Sequence, residues 1–236
     1  MKNNFFFNLN GLIFLLCLTL SAAACASLPQ PSQAPRGPSD SGPSAPNSGP
    51  SASQLFQQGL DLFRQFKYQE AKGRFDGAIN KDPNQLEAYY YRGRTLVALK
   101  QIGAADWDFG KCLQLNPDYA YGYVGKAQIL MLNKAYANAM QQVEKALSLD
   151  PRNAEAFFQK GNVHAYQKQW KAAINAYKEC LAIQPDHAYA HYYIGLAYNQ
   201  INNKNLAIDH LQKFLHLAPN APEAEQVRKL LSQFQK

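Results

Sequence analysis

The chain is poor in the residues and patterns that make chemistry. Its 236 residues include four cysteines, Cys17, Cys25, Cys112 and Cys180, and no Cys-x-x-Cys pair. That thin complement excludes a disulfide scaffold and a thiolate zinc module. Neither a P-loop nor a dinucleotide fingerprint occurs. The serines are concentrated in one N-terminal stretch and carry no nucleophile motif. No Arg-rich run or aromatic-basic motif is present, so no nucleic-acid partner is expected. His187 and His191 stand four apart, a spacing that suits a metal, but no third ligand is evident and packed or surface histidines are expected. Asp106 and Asp108 lie two apart on a helix, point to different faces and make no acid/base pair. The expectation is no catalytic set, no metal and no cofactor, and hence no enzyme.

Long apolar runs are also missing. The uninterrupted apolar stretch Gly11 to Leu20 is about ten residues, against the ~20 of a spanning helix. It follows Lys2 and precedes Ser21-Ala22-Ala23-Ala24-Cys25, the charged, apolar and small-residue order of an export signal over 1–24. Ala22-Ala23-Ala24 fits cleavage by ordinary signal peptidase. The same small residues directly before Cys25 resemble the lipobox of bacterial lipoproteins, although Ala22 stands where that family prefers Leu. The resemblance implies an acylated Cys25 at a new amino terminus. Ala26, not Asp, follows it, which in two-membrane bacteria implies an outer-membrane destination. Residues 25–51 then run through Pro29, Pro31, Pro35, Pro38, Pro43, Pro46 and Pro50 with Ser, Gly and Ala between. A segment with so few large apolar residues cannot offset ordering entropy, and reads as a tether.

From residue 52 the composition changes. Residues 52–236 hold 22 Lys+Arg and 16 Asp+Glu, interspersed, so the excess of positive charge favours an anionic partner only weakly. Proline recurs at Pro83, Pro117, Pro151, Pro185 and Pro219, each 34 residues after the last. Ala71, Ala105, Ala139, Ala173 and Ala207 fill a second column, and Gly59, Gly93, Ala127, Gly161 and Gly195 a third. Two apolar stretches at helical spacing flank a short polar turn in every period. This predicts five helical hairpins, with first helices near 53–65, 87–99, 121–133, 155–167 and 189–201. Second helices fall near 69–81, 103–115, 137–149, 171–183 and 205–217. The small columns let paired helices approach, and the proline stops the second helix. Asn84, Asp118, Asn153, Asp186 and Asn220 are placed to cap the helix that follows. Cys112 and Cys180 share a column two periods apart, buried and too distant to join.

These columns resemble the tetratricopeptide (TPR) repeat, with Leu55, Tyr89, Tyr123, Phe157 and His191 at its opening aromatic position. Its A-x₃-F pair reads Ala71/Phe75, Ala105/Phe109, Ala139/Val143, Ala173/Tyr177 and Ala207/Leu211. Gln58, Arg92, Lys126 and Lys160 depart from it, standing where the family has Leu. The resemblance implies an all-α, right-handed solenoid of five repeats over 52–221 (52–85, 86–119, 120–153, 154–187 and 188–221), closed by a capping helix within 222–236. It implies a binding scaffold whose concave face is lined by the first helices. Carried onto this chain, the groove set is Phe56, Tyr90, Arg94, Tyr121, Gln128, Phe158, Asn162, Tyr166, Tyr189 and Tyr192. Rings at helical spacing are usually core; as a surface they suit a protein or peptide segment. The alternative is a glycan or lipid stacked on the same rings. The Lys/Asn/Arg carboxylate clamp of the chaperone adaptors is absent, and a row of turn lysines, Lys67, Lys100, Lys134, Lys168 and Lys204, is expected along one edge. The sequence thus predicts an exported, lipid-anchored adaptor of an envelope complex.

Overall fold

A computed structural model describes residues 49–234. The export signal, Cys25 and nearly all of the tether lie outside the described residues.

Eleven α-helices follow one another among the described residues. They are α1 Ala52–Arg64, α2 Tyr68–Lys81, α3 Leu86–Ala98, α4 Ile102–Leu115, α5 Ala120–Leu132 and α6 Tyr136–Leu149. After them come α7 Ala154–Tyr166, α8 Trp170–Ile183, α9 Ala188–Gln200, α10 Lys204–Leu217 and α11 Ala224–Phe234. The ten repeat helices fall within one residue of the positions that the periodicity predicts. Each odd-numbered helix from α1 to α9 packs on the next, and hairpins stack in order into an all-α solenoid. None of the described helices is long and apolar enough to cross a membrane.

The repeat columns make each hairpin. Ala71, Ala105, Ala139, Ala173 and Ala207 are all fully buried, as are Phe75, Phe109, Val143, Tyr177 and Leu211. The large residue of α8 lies on the small column of α7: a methyl at Gly161 would stand 2.4 Å from Tyr177 Cε1. Where the small residue is Ala127, its partner column holds the smaller Val143, so summed volume is kept. Val227 and Ala224 of α11 are buried, and Leu230, Leu231 and Phe234 pack against the core of the last repeats.

The caps differ from expectation. The N-cap is the second residue after each of the first four prolines, namely Gln85, Tyr119, Asn153 and His187. Asn153 caps as expected, its side chain accepting from the Ala156 amide at 2.9 Å. Asn84, Asp118 and Asp186 sit one residue too early, and Asn220 lies in the turn before α11. The backbone amides of Asn84 and Asp118 are instead bound by the side chains of Asp82 and Asn116, at 3.0 Å each. The residue before each of these two prolines thus forms an Asx turn that aims the chain into the next helix.

The lysine row is corrected too. Lys100, Lys134 and Lys168 share one column with Phe66 and Asn202, and all five have φ between 59° and 61°. They end the first helices in a Schellman turn: in the first repeat the Phe66 amide donates to Phe63 O and the Lys67 amide to Leu62 O. Lys67 is the N-cap of α2 and Lys204 opens α10, so neither belongs to that column. An L-residue in this region loses about 1 kcal/mol, and glycine's greater unfolded entropy takes back part of any relief. Lys134→Gly therefore gains about 0.5 kcal/mol. A thermal melt reads it as a small rise in midpoint; a fall would mean that the Lys134 side chain makes a contact worth more than the strain.

Candidate functional site

The inner face is filled by its own side chains. Of the ten groove residues that the sequence nominates, Phe56, Tyr121, Gln128 and Tyr166 are half-buried. Tyr90, Arg94, Phe158, Asn162, Tyr189 and Tyr192 are buried, with Phe158 and Tyr189 at 0% exposure. These six are corrected from open groove to core. Phe158 lies between Tyr177, Tyr193 and His187 with ring centroids 4.8–5.8 Å apart. Tyr192 packs on Tyr189, Tyr193 and Phe214. The Arg94 guanidinium lies 5.3–5.8 Å from the rings of Phe63, Tyr90 and Tyr91. Their partners come from the second helix of the same repeat, as Tyr177 and Phe214, and from the neighbouring first helix, as Tyr193 for Phe158 and Phe63 for Arg94.

A ring band nevertheless reaches the surface. Phe56 meets Tyr91 at 5.8 Å, Tyr91 meets Tyr90 at 5.2 Å, and Tyr90 meets Tyr121 at 5.1 Å. Tyr121 in turn meets Tyr119 at 5.7 Å. The rims of this band, Phe56, Tyr119 and Tyr121, are half-buried.

Sequence reasoning named Asn162 but passed over the polar row on α7 to which it belongs. Glu155, Gln159 and Asn162, at i, i+4 and i+7, are all buried. Gln159 donates to Glu155 at 3.0 Å, Asn162 donates to Gln159 at 3.0 Å, and the Tyr177 hydroxyl donates to Asn162 Oδ1 at 2.8 Å. Polar residues at helical spacing were the available signal. Their linkage to one another keeps the cost of burial down.

The histidines do not form the i,i+4 pair that the spacing allows. His187 caps α9, Nδ1 accepting from the Ala190 amide at 3.0 Å. Its Nε2 lies 3.5 Å from Glu155 Oε2. His191 turns instead to His210, with Nδ1 atoms 2.9 Å apart, and its Nε2 sits 2.9 Å from Pro185 O. A carbonyl only accepts, so His191 Nε2 carries the proton and His210 Nδ1 donates to His191 Nδ1. Burial, with His191 adding to it, holds His210 down to about 4. Among the described residues, no group of three or more His, Cys, Asp or Glu gathers to hold a metal. Cys112 and Cys180 are free and buried, and burial pushes the Cys112 thiol up to about 12. Asp106 and Asp108 diverge, Asp108 to Arg92 of α3 and Asp106 to Lys126 of α5. Two of the three cations that depart from the repeat pattern, Arg92 and Lys126, therefore each tie one helix to another through a carboxylate of α4.

Family models of the tetratricopeptide repeat match residues 56–107, 120–153 and 161–232, together about two thirds of the chain. No curated protein matches. Among solved structures, TTC0263, a thermophilic TPR protein of Thermus thermophilus, is 20% identical over 78% of this chain and 99% of its own, with a TM-score of 0.67. YrrB, described as a TPR protein with an unusual peptide-binding site, is 22% identical over 76% of this chain and 92% of its own, with a TM-score of 0.46. MamA from Desulfovibrio magneticus RS-1 is 21% identical over 74% and 98%, with a TM-score of 0.45. At such identities the likeness concerns the fold. With five stacked hairpins, the small columns facing large ones and three matches along the array, the chain belongs to the tetratricopeptide-repeat family.

Proposed function

We propose that this chain is an exported, lipid-anchored TPR adaptor that holds a protein or peptide segment and so assembles a cell-envelope complex. The fold is of a kind typical of protein–protein interaction. The observation that carries the reading is the ring band from Phe56 to Tyr119, whose half-buried rims offer apolar area with few rotors to freeze. Acylation of Cys25 and an outer-membrane place facing the periplasm rest on the sequence before residue 49.

Two measurements test it. The intact mass of membrane-extracted protein carries acyl chains on Cys25; an unmodified soluble form beginning near Cys25 overturns the anchor. For the band, Tyr121→Ala weakens binding of the captured segment by about 2 kcal/mol if the ring is a hot spot. Lys134→Ala on the turn edge leaves binding intact at physiological salt. The reverse pattern moves the contact to the turn edge. Binding of a glycan or lipid at Tyr121, with no protein captured, makes the chain a receptor and not an adaptor.

A further inference from the structure

One column of the repeat breaks its own rule. The exposed end of each first helix holds Phe66, Lys100, Lys134, Lys168 and Asn202, and only the first repeat places a large apolar residue there. A bulky ring at φ 61° is an unfavourable choice for a solvated turn. Phe66 is half-buried, and what covers it is the other end of the molecule. Phe66 and Tyr68 both pack against the core cluster of the last two repeats and α11. Arg64, Gln65, Phe66 and Lys67 form one wall of a cleft whose other wall is Leu217, Ala218, Pro219 and Asn220.

Behind the cleft the two ends meet on the inner face. The Tyr68 hydroxyl is raised above its usual range by burial, and it also feels the charges of Glu223 and Arg94. Tyr189 donates to Glu223 Oε2 at 2.9 Å, and burial pushes that carboxyl up. Residues from the first, second and last repeats, and from the segment leading into α11, thus share one seam. The seam is not at its optimum. The Tyr68 hydroxyl is buried without a hydrogen-bond partner, and a buried donor left unpaired costs stability. A permanent core contact would be expected to satisfy that group; a contact that opens can tolerate the loss.

We propose that the Arg64–Tyr68 turn is a latch, seated on residues 217–223, that closes the inner face and must release before a segment can thread across it. The gating half rests on the reading of the inner face as the binding face; the seam itself does not. Binding through an open minority state weakens apparent affinity by the open fraction, so loosening the latch tightens binding.

Hydrogen exchange of the full chain, without any partner, tests the seam. Phe66→Asn removes the ring and installs the residue that the last repeat uses at the same turn, so the local fold is kept. It speeds exchange roughly tenfold in peptides covering 62–70 and 216–224, at opposite ends of the array, and leaves α5 and α6 unchanged. Tyr68→Phe deletes the unpaired hydroxyl and slows exchange in the same two regions. Lys100→Asn, at the equivalent turn of the second repeat, changes neither. If Phe66→Asn leaves 216–224 unchanged, or Tyr68→Phe fails to slow it, the latch is wrong whatever binds the inner face. If the seam responds as stated but a captured segment binds wild type and Phe66→Asn equally well, the gate is wrong and the seam stands.

Discussion

Phe158→Ala lowers folding stability by about 3–5 kcal/mol, a large share of a domain's whole margin of about 5–15 kcal/mol. The ring is fully buried among Tyr177, His187 and Tyr193, the rings that join α7 to α8 and α9. Truncation leaves a cavity between helices that are already fixed by the Gly161–Tyr177 contact and cannot close over it. Urea unfolding of the purified chain should show a large fall in midpoint at unchanged slope. A normal midpoint would put the ring back in an open groove. Tyr121→Ala makes the contrast, because that ring is half-buried and its loss is shared with solvent. Binding studies on the inner face therefore belong on Phe56, Tyr121, Gln128 and Tyr166, and not on the rings at its centre.

Arg92→Met has the next largest effect, a loss of about 3 kcal/mol at neutral pH. Arg92 binds Asp108 through two nitrogens, at 2.9 and 2.6 Å, and reaches Asp76 at 2.8 Å. It joins α2, α3 and α4 through one guanidinium. Asp108 is fully buried, so removing its cation strands a carboxylate away from water. The sign with pH follows. Burial raises the Asp108 carboxyl above its ordinary value even against the pull of Arg92, and without Arg92 it rises further. A group raised in the folded state favours folding below its unfolded value and loses that contribution as pH climbs through the folded one. The variant thus recovers stability relative to wild type as pH falls from 7 towards 4. Paired chemical unfolding of both proteins at several pH values checks this. A deficit independent of pH would mean that lost packing of the arginine stem, and not the stranded charge, dominates.

Much of this molecule is legible in one dimension. The 34-residue columns placed ten helices within a residue, because a repeat whose neighbours are near copies meets the same local contacts every time. That the small columns let paired helices approach was legible in the sequence; that Phe75, Phe109 and Tyr177 lie on Gly59, Gly93 and Gly161 came from the structure. Capping was read correctly at Asn153 and one residue too early at Asn84, Asp118 and Asp186, because Asn and Asp serve turns and N-caps alike and differ there only in register. What lines the groove was legible as a list of columns but not as a surface. Whether Tyr90, Phe158, Tyr189 and Tyr192 face solvent depends on how each ring seats against the second helix of its repeat and the neighbouring first helix, which no single column encodes. The bend of five repeats brings Phe66 to Pro219 and Tyr68 to Glu223. Local periodicity specified the repeat; only the accumulated curvature decided that its two ends touch.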